Sequence, residues 1–84
     1  MASRKELIRA IDFVLSGESD KALAIVEKNE TDATACYIHA VLLRLNGDKE
    51  SAKYWYGRAG HQEWPRSDPE GQLLRLRDTL LFQP

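Results

Sequence analysis

Cysteine is all but missing from this chain: Cys36 is the only one among 84 residues. A single thiol closes no intramolecular disulfide. Neither sign of charge is in excess, with 12 basic residues against 13 acidic ones, so no net field steers the protein toward nucleic acid or an anionic membrane. No apolar run approaches the roughly 20 residues that span a bilayer. The opening MASRKELIRA runs directly into a charged amphipathic pattern with no signal-peptide apolar region. With the lone cysteine, this sets the expectation of a reducing, cytoplasmic location. A glycine-rich phosphate loop, a nucleophile elbow and a carboxylate pair placed for acid and base roles are also missing. At this length the chain is expected to be one domain, residues 1–84, with room for one modest core and little for the walls of a deep cleft. The expectation is a protein that is not an enzyme and that holds no cofactor or metal.

What the chain has is helical periodicity. Leu7, Ile8, Ile11, Phe13, Val14 and Leu15 recur at three- and four-residue steps after Ser3, and Gly17 stands where a helix C-terminus needs a left-handed residue. A second, shorter helix starts near Glu18 or Ser19, carries Ala22, Leu23, Ile25 and Val26, and stops in the polar run KNETD. Thr31 or Asp32 caps a third, with Ala35, Ile38, Val41, Leu42 and Leu45, ending at Asn46-Gly47. Asp48 caps a fourth, from Lys49 to about Ala59, before Gly60. The polar, twice-proline segment after it predicts a loop over 61–67. Ser67 and Glu70 have capping-box spacing and Pro69 suits a first turn, so a fifth helix is predicted over about 68–82, with Leu73, Leu74, Leu76, Leu80 and Leu81 as its apolar side. No segment alternates with the period of a half-buried strand. The predicted fold class is all-α.

The first two helices also repeat in the next two. LIRAIDFVLSGESDKALAIV, from Leu7, aligns with YIHAVLLRLNGDKESAKYWY, from Tyr37, at a constant offset of about 30 residues, a spacing typical of stacked repeats. Ile8 matches Ile38, Ala10 matches Ala40, Gly17 matches Gly47 and Ala22 matches Ala52. The repeating unit is a helical hairpin, one over about 3–29 and one over about 32–60. The second unit resembles a tetratricopeptide repeat in Ala40, Leu43, the Gly47-Asp48 turn, Ala52, Tyr56 and Ala59, with Pro65 near the position of the proline that closes such repeats. The first fits through Ala10, Phe13, Gly17, Ala22 and Val26 and departs at Arg9 and Asn29. The resemblance implies a right-handed array of two hairpins with the last helix as a solubilising cap. It also implies a concave groove lined by Arg4, Leu7, Ile11 and Val14 and by Thr34, Tyr37, Val41 and Arg44. Leu7, Ile11, Tyr37 and Val41 stand where carboxylate-clamping members carry lysine and asparagine, so the implied occupant is an amphipathic partner, a second copy of the chain, or the fifth helix folded back.

The stretch KYWYGRAGH, beginning at Lys53, carries the candidate site. Helical rotation divides its aromatics: Trp55 and Tyr56 share the side expected to pack on the third helix, while Tyr54, Arg58 and His61 form a separate stripe. Stacked Arg and Tyr are what interface hot spots favour, so Tyr37, Arg44, Tyr54, Arg58 and His61 are the candidate partner-binding residues, for a protein or peptide partner or a second copy of the chain. His39 is expected to be a buried neutral imidazole bonded to a neighbour such as Tyr56; the sharper reading is a pH-sensitive packing element, or with His61 the centre of a small ligand or catalytic pocket. Cys36 and His39 have a two-ligand spacing, but two ligands do not make a zinc site, and a small core residue is the plainer reading of Cys36.

Overall fold

The computed structural model of the chain describes residues 3–60 and 68–82. Five helices make up its regular structure: α1 (Arg4–Leu15), α2 (Ser19–Glu27), α3 (Ala33–Leu45), α4 (Lys49–Arg58) and α5 (Pro69–Phe82). The described residues contain no strand. All the helices but α2 begin where an oxygen-bearing side chain takes unpaired amides of the first turn. Ser3 Oγ accepts from the Glu6 amide at 3.1 Å, and Asp32 Oδ1 accepts from the Thr34 and Ala35 amides at 2.9 and 3.1 Å. Asp48 caps α4 through the Ser51 amide at 3.2 Å. Asp68 caps α5 through the Gly71 amide, also at 3.2 Å. That cap belongs to Asp68; the Ser67 half of the expected capping box lies outside the described residues.

Both hairpins turn by the same device. Gly17 and Gly47 take φ of 83° and 85°, and the residue after each glycine donates its amide back into the helix, Glu18 to Phe13 O at 2.8 Å and Asp48 to Leu43 O at 2.9 Å. This closing bond, with the glycine amide bonded to the carbonyl three residues before it, is the Schellman ending, which needs a left-handed residue. Each turn folds its second helix onto its first, α2 on α1 and α4 on α3, and α3 also packs against α1 and α2. Ala10, Ala22, Ala40 and Ala52 are wholly buried, as close helix crossings require.

The fifth helix packs against α3 of the second hairpin and against α1 of the first, the folded-back placement that the sequence left open. It thereby covers apolar side chains that a groove would expose: Leu7, Ile11, Val14 and Val41 are all buried. Leu73 and Leu80 face inward and Leu76 is half-buried, but Leu74 and Leu81 are 52% and 45% exposed and do not belong to the buried side. The reason is width. The five leucines and Phe82 of this 14-residue helix together span about 240° of its circumference, and the surface of α1 and α3 covers only part of that. No helix among the described residues is long and apolar enough to cross a membrane.

Candidate interaction surface

The candidate residues fall into two groups. Tyr37 is half-buried, with its ring edge-on to Tyr56 at 5.6 Å between centroids. Burial pushes its phenol up, against the pull of Arg44 and of Arg75 from α5. Tyr56 is 1% exposed, and its hydroxyl donates to Gln72 Oε1 at 3.2 Å, so this group is bridged to α5. Arg44, in the last turn of α3, is also half-buried.

The second group is built on α4. Tyr54 is 59% exposed and stands edge-on to Trp55, with centroids 5.3 Å apart and planes at 88°. The Arg58 guanidinium lies 5.1 Å from the Trp55 centroid and 6.0 Å from that of Tyr54, within cation–π range of both. Its Nη1 donates a long bond of 3.5 Å to the Tyr54 hydroxyl, and its Nη2 donates to the Glu30 carbonyl at 3.2 Å. That carbonyl, in the turn before α3, also accepts from Cys36 Sγ at 3.1 Å. Arg58 is thus stretched from α4 across to the α2–α3 turn, which fixes the position of a long side chain that would otherwise be free to rotate. Tyr54 and Arg58 do share a side of α4; His61, the third residue of the expected stripe, lies outside the described residues.

One expectation needs correction. His39 is not bonded to Tyr56, whose hydroxyl goes to Gln72. The imidazole is 7% exposed and lies against Trp55, with centroids 4.3 Å apart and planes tilted by 30°, and its Nδ1 is buried with no hydrogen-bond partner. Burial holds its pKa below the ordinary histidine value, opposed by Glu27 and Glu30. Trp55 packs on α3 as expected, against the His39 ring and the edge of the core. It is half-buried, with His39 inward of it and Arg58 and Tyr54 outward, so it joins the two stripes that helical rotation had separated. Cys36 is a buried thiol whose pKa burial raises, which favours its protonated form. Among the described residues no group of three His, Cys, Asp or Glu side chains could hold a metal ion.

Sequence reasoning missed two features, the partial exposure of Trp55 and the outward Leu74, Leu81 and Phe82 of α5. The only available signal for the second was an apolar stripe too wide for one contact. Comparison of the chain with protein-family models, with curated proteins and with solved structures gave no match.

Proposed function

We propose that the chain is a small protein-interaction module built of two tetratricopeptide-like hairpins, presenting the Tyr54–Trp55–Arg58 platform to a partner protein. The observation that carries this reading is the exposed Tyr54 ring, backed by Trp55 and held in place by an Arg58 that is itself anchored to the Glu30 carbonyl. Tyr, Trp and Arg supply most hot-spot energy in interfaces, and a platform already fixed in the free protein loses less side-chain entropy on binding. The surface of α1 and α3 is less suited to a partner, because α5 already lies on it.

Photo-crosslinking from Lys53 in the full chain tests the proposal. A partner captured by the native chain should be lost on Tyr54→Ala and on Arg58→Ala, each weakening binding by about 2 kcal/mol, roughly thirtyfold. Lys49→Ala, one turn away, should leave capture intact. A partner bound equally by all of these variants removes the platform from the interface.

A further inference from the structure

The outward face of α5 carries a pattern that the chain's own packing does not explain. Gly71, Arg75, Asp78 and Phe82 follow one another at steps of four, three and four residues, which places them on a stripe about 60° wide. This is the heptad spacing of a coiled-coil seam. Leu73 and Leu80 lie on the opposite, buried side. Phe82 is 83% exposed. Among the described residues the side chains of Arg75 and Asp78 form no hydrogen bond or ion pair; the two salt bridges there are Lys21–Glu18 and Arg77–Asp12. Gly71 weakens a helix, yet a Cβ built on it meets nothing nearer than 3.9 Å, so crowding within the chain gives no reason for glycine there.

We propose that this face binds the same face of a second copy of the chain, the two α5 helices running antiparallel about a two-fold axis between residues 76 and 77. In an isologous pair, residue i faces residue j whenever j faces i. With that axis Arg75 faces Asp78 of the second copy and Asp78 faces its Arg75, so each of these charges, neither in an ion pair among the described residues, gains a partner of opposite sign. Phe82 lies over Gly71 of the second copy, where the missing side chain leaves room for the ring. Leu74 and Leu81 flank the seam on one side, at nearly matching heights across the axis, and cover each other. One axis therefore accounts for the order of the charges, the outward glycine and all three exposed apolar side chains of α5. A helix of 14 residues offers a strip about 21 Å long and about 10 Å wide, roughly 210 Å², well short of the roughly 800 Å² per partner of a standard interface. The pairing is therefore concentration dependent. It uses a surface separate from the α4 platform, and either can fail without the other.

Sedimentation equilibrium of the full chain, from micromolar to millimolar concentration, is the test. The native chain should move from the mass of one chain to that of two, and Leu74→Glu with Leu81→Glu should shift this transition at least tenfold upward in concentration. Arg75→Asp and Asp78→Arg should each do the same, because each places two pairs of like charges across the axis. An equimolar mixture of these two variants should regain the two-chain mass, since both cross-axis pairs again become opposite in sign. Circular dichroism monitors folding, and the changed side chains of the leucine variant are exposed, so that variant decides the matter if a charge variant loses helix. A native chain that stays at the mass of one, a two-chain species indifferent to the leucine changes, or a folded mixture that fails to recover would each overturn the proposal.

Discussion

At the scale of single residues, His39 sets two opposing terms against each other. Its buried Nδ1 has no partner, a condition that costs about 1–3 kcal/mol, whereas its ring against Trp55 contributes about 0.5–1.5 kcal/mol. His39→Leu removes both, so near neutral pH its melting behaviour should stay close to that of the native chain. Acid separates them. The folded pKa lies below the unfolded value of about 6.5, so below that value the unfolded chain binds more protons than the folded one. Native stability is then full above about pH 6.5 and falls as pH drops toward the folded pKa, by at most about 1.4 kcal/mol per pH unit for one group. Urea melts across this range should show the fall in the native chain and a shallower one in His39→Leu; equal slopes would place the proton elsewhere. The sequence showed that His39 faced a neighbouring helix but not which group it met, because a helical face fixes direction and leaves the partner to the other chain segment.

At the scale of elements, the helix ends carry the information. Asp32 Oδ1 takes two amides of the first turn of α3, and α3 contributes more buried residues than any other helix. Asp32→Ala should cost about 1 kcal/mol, read as a lower urea midpoint at unchanged slope, and Asp32→Asn should recover most of it. Caps and glycine turns were legible in the sequence residue by residue, since a cap acts over three residues and a Schellman turn over six, and no distant partner alters their chemistry. Helix bounds accordingly fall within a residue or two of the periodicity. The rotation of each helix about its axis was less legible. In α4 Trp55 went to the boundary and Tyr56 to the core, a division that depends on how far α3 and α5 reach around α4.

At the scale of the whole molecule, the docking of α5 decides what the chain can offer a partner. Two of the contacts that hold it differ in magnitude. Arg77 Nε to Asp12 Oδ1 is a 2.8 Å bridge with side chains 37% and 48% exposed, a kind that contributes about 0–1 kcal/mol. Leu73 is fully buried, and truncating such a leucine costs about 2–5 kcal/mol. Leu73→Ala should therefore lower the urea midpoint several times more than Arg77→Ala, and added salt should narrow the effect of Arg77→Ala alone. By itself the sequence determined the all-helical class, the positions of the helices and their caps, and the two glycine turns. Each of these depends on residues within a turn or two of one another. Only the tertiary structure decided that α5 lies on α1 and α3, that His39 meets Trp55, and that Leu74, Leu81 and Phe82 face outward. Those outcomes depend on which apolar surfaces find each other across the chain, and a helix whose leucines and Phe82 together span more than half its circumference can satisfy only one such surface within its own molecule.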